Sequence, residues 1–250
     1  MRPTVVAVIP ARLQSSRFPG KALHPIHGRP LLYHVWKSVC RCKTIDKVLI
    51  ATESQEIIKA AHDFGAEVFR SSSKPKTGSD RVAEVAREVR ADIYTNIQGD
   101  CFGISSTAID KVVALVAKDK KIAIGTLAAP IKSDDDLFSP NLVKVVFDSD
   151  GKALWFSRFP IPYIQQVTSL PRWRQAKFFG HIGVYVFRDA ALRQFAKWKR
   201  TPCELSESLE QLRVLEHGGA IHVCQVREKS VSIDSPEDAK KVELRYKKAG

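Results

Sequence analysis

Hydrophobic and polar positions in the first half of the chain follow two alternating rhythms. Short runs of aliphatic and β-branched residues at Val5–Ile9, Val48–Thr52, Val68–Phe69, Ile93–Gln98 and Ala123–Ala128 predict strands. Between them, apolar residues recur every three or four positions near Leu31–Cys40, Gln55–Phe64, Asp80–Val89 and Thr107–Ala117, the spacing that lines one face of a helix. Strands and helices in alternation predict βαβ units, and hence an α/β fold with a mainly parallel sheet flanked by helices.

The rhythm changes from about Pro130 to Tyr185. Strand-like Val143–Phe147 and Ala153–Ser157, the proline-punctuated stretch Pro160–Pro171 and strand-like His181–Phe187 succeed one another there. This segment is expected to be an antiparallel excursion that covers the ligand edge of the sheet or makes a subunit contact. Beyond it the pattern predicts helices at Asp189–Lys197 and about Leu205–Leu215, strands at Ile221–Val226 and Ser230–Ile233, and a closing helix from Pro236. That last helix has a legible start, with Ser235 suited to the N-cap, Pro236 to the first helical position and Asp238 to a capping-box-like pattern.

At 250 residues and 44% hydrophobic, the chain can bury a full core, and no repeat or low-complexity linker divides it, so a single domain over 1–250 is expected. No run of about 18 apolar residues is present to span a bilayer, and a cytoplasmic protein without membrane insertion is the expectation. Cys40, Cys42, Cys101, Cys203 and Cys224 form no CxxC pair and no zinc-ligand spacing, and read as reduced thiols. The formal charge of +13 suits either a nucleic acid or a substrate bearing phosphates and carboxylates. Because the short basic clusters at Lys118–Lys121 and Lys240–Lys248 read as solvated helix faces and no nucleic-acid-binding motif accompanies them, no nucleic-acid partner is expected.

The loop after the first strand, Ile9–Lys21, carries Arg12, Arg17 and Lys21 with Ser15, Ser16 and Gly20. Ligands of parallel α/β sheets bind beyond the carboxyl ends of the strands, so this cationic loop is placed to hold a triphosphate. It has neither the GxxxxGK[ST] nor the GxGxxG spacing. The fourth strand runs into Gln98-Gly99-Asp100, and an aspartate there, beside a triphosphate, suits a Mg²⁺ ion that keeps part of its water shell. Asp234, at the end of the Ser230–Ile233 run, is the candidate second carboxylate; for either aspartate a plain turn role is the alternative.

Taken in order, IPARLQSSRFPGK (Ile9–Lys21), TGSDR (Thr77–Arg81), NIQGD (Asn96–Asp100), NLVKVVFDSDGKALWFSR (Asn141–Arg158), HIGVY (His181–Tyr185), LEQLRVLEHG (Leu209–Gly218) and IDSPEDAKKVE (Ile233–Glu243) resemble the 3-deoxy-manno-octulosonate cytidylyltransferase (CMP-Kdo synthetase) family over nearly the whole chain. The resemblance implies a Rossmann-like nucleotidyltransferase sheet. It also implies Mg²⁺-dependent cytidylyl transfer from CTP to the anomeric hydroxyl of the acidic sugar Kdo, giving a CMP-sugar and pyrophosphate for lipopolysaccharide synthesis. Similar enzymes are dimers, which implies a homodimer with its contact in the excursion. Carried over by position, Arg12, Ser15 and Lys21 match residues that hold CTP, with Arg17 in the same loop, and Asp100 and Asp234 match the Mg²⁺ carboxylates; Lys21, Asp100 and Asp234 are the implied catalytic set. Arg81, Gln98, Tyr185, Glu210 and Gln211 match positions around the sugar, with Arg158 and His181 as neighbours.

The chain departs from the family pattern beside the metal position, where QGDEP is replaced by Gln98-Gly99-Asp100-Cys101-Phe102. Altered sugar specificity, toward an 8-amino form of Kdo or another 2-keto sugar acid, is one consequence and weakened catalysis a second; a nucleophilic Cys101 is disfavoured, because direct attack by the sugar hydroxyl needs no covalent intermediate. A non-catalytic CTP-binding homologue is the alternative class. The usual ATD of the second strand is Ala51-Thr52-Glu53, and Lys229-Ser230-Val231-Ser232 replaces a glycine-containing approach to Asp234.

Overall fold

The computed structural model describes residues 2–14, 18–227, 231–233 and 235–246. They fall into two compact units, Met1–Asp110 with Ser230–Gly250, and Lys111–Lys229. The chain begins with β1 (Val5–Pro10), a tiny hairpin of β2 (Pro25–Ile26) and β3 (Arg29–Pro30), α1 (Leu31–Val39), β4 (Lys47–Thr52), α2 (Gln55–Asp63), β5 (Glu67–Arg70), α3 (Gly78–Glu88), β6 (Ile93–Ile97) and β7 (Cys101–Phe102). Helix α4 (Ser106–Lys118) leads to β8 (Ile124–Pro130), α5 (Asp134–Phe138), β9 (Lys144–Phe147), β10 (Ala153–Ser157), α6 (Arg172–Gln175) and β11 (Phe179–Arg188). Then come α7 (Asp189–Lys197), α8 (Pro202–Glu207), α9 (Leu212–Glu216), β12 (His222–Gln225), β13 (Val231–Ser232) and α10 (Pro236–Tyr246).

In the first unit β1 pairs in parallel with β4 on one side and β6 on the other, and β4 pairs in parallel with β5. Val5 to Ile9 are all buried, which is why the strand reads as a continuous apolar run with no polar face. The chain leaves β1 toward β4 and later returns to its other edge as β6, so the carboxyl ends of β1 and β6 flank the point where strand order reverses. Such a point opens a crevice for ligands. The crossover helices present regular apolar stripes and local caps. Leu31, Leu32, Val35 and Val39 are buried on α1, Ser54 caps α2 by accepting from Ile57 N, and Thr77 and Asp80 form a reciprocal capping box on α3.

The second unit holds the antiparallel excursion. Strands β9 and β10 form an antiparallel pair, β11 is antiparallel to both β9 and β8, and β12 joins β8 in parallel. The α/β class with a parallel portion and an antiparallel middle is therefore as the patterning predicts. The closing helix also begins as read from sequence: Ser235 N donates to Asp238 Oδ2 at 3.1 Å and Asp238 N to Ser235 Oγ at 3.2 Å.

One element differs. The single helix expected at about Leu205–Leu215 is two, α8 and α9, separated by Ser208 in the left-handed region (φ 52°). The α8 start is locally encoded by Thr201, Pro202 and Glu204 in a capping box. Its end is not: Glu207, the last residue of α8, is held by Ser157 at the end of β10 and by Arg158 just beyond it. Among the described residues no helix is long and apolar enough to cross a membrane.

Candidate active site

The basic loop is closed at its base by Gly20, whose φ of 73° permits its N–H to reach Leu13 O at 2.9 Å before a 3₁₀ turn at Lys21–Leu23. Phe18 anchors the loop in an apolar cluster with Ile26, Leu31, Phe102, Ile233, Ala239 and Val242. Burying a phenylalanine such as Phe18 or Phe102 contributes about 1.5–3 kcal/mol, so the cluster fixes the loop against the C-terminal helix.

Lys21 is aimed back at the end of β6, where its Nζ donates to Asp100 Oδ2 at 2.6 Å. Asp100 is placed by close backbone approach, since a Cβ on the preceding Gly99 would lie 3.3 Å from Pro10 O at the end of β1. Ile233 N also donates to Asp100 O at 3.2 Å, tying the β13 end to the same residue. Ser15, Arg17 and Asp234 lie outside the described residues. Arg12 is directed to Pro75 O, in the segment leading into the Thr77 cap. Gln98 is half-buried.

Asp100 Oδ1 is buried and has no hydrogen-bond partner among the described residues. Leaving a charged oxygen in that state costs more than the 1–3 kcal/mol typical of a neutral buried group, a cost that a cation would offset. The carboxylate therefore fits one ligand of a Mg²⁺ ion. No group of three or more His, Cys, Asp or Glu gathers as a metal cage among the described residues, which do not include Asp234.

Arg81 is 1% exposed, and its Nη1 is bonded to Glu53 Oε2 and to Ser71 Oγ. The Glu53 that departs from the usual ATD at the end of β4 is thus the counter-ion of a buried guanidinium. Cys101 and Phe102, the other departure, are both buried, at 3% and 5% exposed. In this frame a glutamate at position 101 would be a buried charge, which is costly without a partner.

In the second unit, His181 and Tyr185 lie on β11 with ring centroids 5.2 Å apart, and Phe156 meets the imidazole edge-on at 5.2 Å. Burial pushes the His181 pKa down to about 3, so the ring is neutral near pH 7. Its tautomer follows from its partner. The single hydrogen of Thr126 Oγ1 goes to Val184 O at 2.7 Å, so at 2.8 Å Thr126 must accept from His181 Nε2. The proton sits on Nε2, and Nδ1 is an acceptor.

Glu210 and Gln211 stand in the turn between α8 and α9. Gln211 is 3% exposed, and its Nε2 has no hydrogen-bond partner among the described residues. Arg158 is committed to backbone: Nε to Glu207 O at 2.7 Å, Nη1 to Pro140 O at 2.8 Å and Nη2 toward Ser208 O at 3.5 Å. Glu53, Thr126, Lys144 and Glu207 are the partners that sequence reasoning missed. Of these only Lys144 carries a local signal, a lysine set inside the apolar run Val143–Phe147.

The Cytidylyltransferase family matches residues 6–230 of the chain. A 3-deoxy-manno-octulosonate cytidylyltransferase of Geobacter metallireducens is 41% identical over 248 residues, covering 95% of this chain and 96% of the relative. One of the same name from Chlamydia pneumoniae is 40% identical over 240 residues, covering 95% and 92%. Among solved structures, CMP:2-keto-3-deoxy-manno-octonic acid synthetase complexed with CTP superimposes with a TM-score of 0.89 at 32% identity, covering 99% of this chain and all of that one. With a parallel sheet whose reversal point carries Lys21 and Asp100, and with relatives of this kind over nearly its full length, the chain belongs to the 3-deoxy-manno-octulosonate cytidylyltransferase family, nucleotidyltransferases of the CMP-Kdo synthetase type.

Proposed function

We propose that this chain transfers the cytidylyl group of CTP to the anomeric hydroxyl of Kdo or a Kdo-like sugar acid, with release of pyrophosphate. The observation that carries the reading is the Lys21–Asp100 pair, which joins the loop after β1 to the turn after β6, with a buried carboxylate oxygen that has no partner among the described residues beside that loop. In this reading Arg12, Ser15, Arg17 and Lys21 hold the triphosphate, and Lys21 exchanges Asp100 Oδ2 for a phosphate oxygen when CTP binds. Asp100, and by resemblance Asp234, would hold a Mg²⁺ ion, which supplies neutralisation of phosphate charge and lowers the pKa of the attacking hydroxyl. That hydroxyl attacks the α-phosphorus in line, the bond to the β-phosphate oxygen breaks, and the hydroxyl proton passes to solvent.

On the sugar side, Gln211 Nε2 is a donor awaiting an oxygen acceptor, and His181 Nδ1 is an acceptor suited to a sugar hydroxyl rather than a cation suited to the carboxylate. A pyrophosphate-release assay over Kdo, 8-amino-Kdo and sialic acids tests the assignment. Turnover with Kdo or its 8-amino analogue is expected; CTP binding in calorimetry without pyrophosphate from any sugar would refute it. Buried Cys101 in place of the family glutamate makes the 8-amino form the second reading, read directly from the ratio of the two rates.

A homodimer through the excursion belongs to the same proposal. Phe159, Tyr163 and Leu170 of that segment are 72%, 81% and 54% exposed, apolar side chains that a second copy of the chain would cover. Light scattering should return twice the mass of the 250-residue chain, and Tyr163→Glu should shift it toward the monomer. A wild-type monomer at micromolar concentration would remove the dimer.

A further inference from the structure

We propose that Lys144, Arg158 and Glu207 are positioning residues that set the Ser208–Gln211 turn, so that Arg158 serves the sugar site through the backbone rather than by touching the sugar. The inference rests on the reading that Glu210 and Gln211 hold the sugar. Lys144 is 0% exposed at the start of β9, opposite Ser157 on β10 and Gly180 on β11. Its ammonium donates to Ser139 O at 2.8 Å, to Leu142 O at 2.7 Å and to Arg158 O. Arg158 continues the chain of contacts to Pro140 O, Glu207 O and Ser208 O. Glu207 closes it, with Oε1 accepting from Ser157 Oγ at 2.6 Å and Oε2 from Arg158 N at 2.8 Å.

Each contact lands where a segment has left its regular ladder: the Ser139–Leu142 loop, the end of β10 and the end of α8. Burial pushes the Lys144 ammonium down to about 8, an effect that Glu207 opposes, so one carboxylate balances two cations that otherwise meet only carbonyls. The output of this network is Ser208 at φ 52°, a conformation that a serine holds only when its surroundings impose it. Three residues on, that turn delivers the buried Gln211 side chain, whose Nε2 has no partner among the described residues. On the other side of the turn, Glu204 grips Arg213 through two bonds of 2.8 and 2.6 Å, so α8 and α9 are clamped together and the turn between them takes up whatever the network dictates.

The test compares Lys144→Met, Arg158→Lys and Glu207→Gln with the full-length wild type, by steady-state kinetics on Kdo and CTP and by hydrogen exchange. Positioning predicts faster exchange over Pro202–Glu216 with β1 and β6 unchanged, a sugar KM raised about tenfold or more and a CTP KM held within about twofold. Arg158→Lys separates the two roles, since it keeps a charge for a sugar carboxylate but cannot bridge the carbonyls of Pro140, Glu207 and Ser208. Wild-type exchange and sugar KM in that variant would show direct contact and overturn the proposal. Should Lys144→Met not fold, Glu207→Gln and Arg158→Lys carry the same readouts. A wild type that turns over no sugar would sink the functional reading, and the exchange pattern alone would then decide the positioning; unchanged exchange over Pro202–Glu216 refutes it.

Discussion

Asp100→Asn should abolish turnover while leaving the fold in place. Asparagine matches the shape of aspartate, so Gly99 keeps its approach to Pro10 and the main-chain bond from Ile233 to residue 100 survives. The Lys21 ammonium keeps an oxygen acceptor there, although a neutral one. What is lost is the negative charge on the buried oxygen, and with it the ability to hold a cation against the phosphates. Removing one preorganised charge-stabilising group costs about 10²–10³ in kcat, and losing a metal ligand belongs at or beyond the upper end of that range. Pyrophosphate release at fixed Mg²⁺ and a thermal melt decide it together. A melting temperature near wild type with kcat down about a thousandfold is the expected pair; near-normal kcat would end the assignment of Asp100 as the metal carboxylate.

The second large effect is on stability. His181 stays neutral in the folded chain down to about pH 3, whereas in the unfolded chain it takes up a proton near its ordinary value of 6.5. Between those limits the unfolded state binds the extra proton, so stability is intact above pH 6.5 and is lost as pH falls toward 3. Each unit is worth about 1.4 kcal/mol, which gives about 2 kcal/mol by pH 5 and on the order of 5 kcal/mol by the folded pKa. His181→Gln retains an N–H for Thr126 and has no titrating group. Urea denaturation of both proteins at pH 7 and pH 5 should show the wild type losing about 2 kcal/mol more than the variant, since the carboxylates cancel in the difference. Equal losses would mean that His181 is not held neutral.

Much of this molecule is legible in the order of its residues, because local pattern and local chemistry decide it. The Val5–Ile9 strand announces itself as an unbroken apolar run and Ile93–Ile97 as a short β-favouring one, and Ser235 with Asp238 marks the start of α10 through contacts only three residues apart. The basic loop and the Gln98-Gly99-Asp100 turn are legible because parallel sheets place ligands beyond strand ends; that Lys21 pairs with Asp100 is visible only in the structure. Ser15, Arg17 and Asp234 rest on sequence alone.

The tertiary structure decided the rest. Glu207-Ser208-Leu209-Glu210-Gln211 contains no helix breaker, and the sequence permits a helix straight through it. The helix stops at Glu207 because Ser157 and Arg158, about fifty residues earlier, take its carboxylate and its carbonyl. Arg81 looks like a free cation in Thr77–Arg81 until Glu53 and Ser71 are folded against it, and Arg158 looks like a ligand for a carboxylate until three carbonyls occupy it. Periodicity and caps are set by neighbours along the chain, whereas these assignments depend on partners brought close only when remote strands pair.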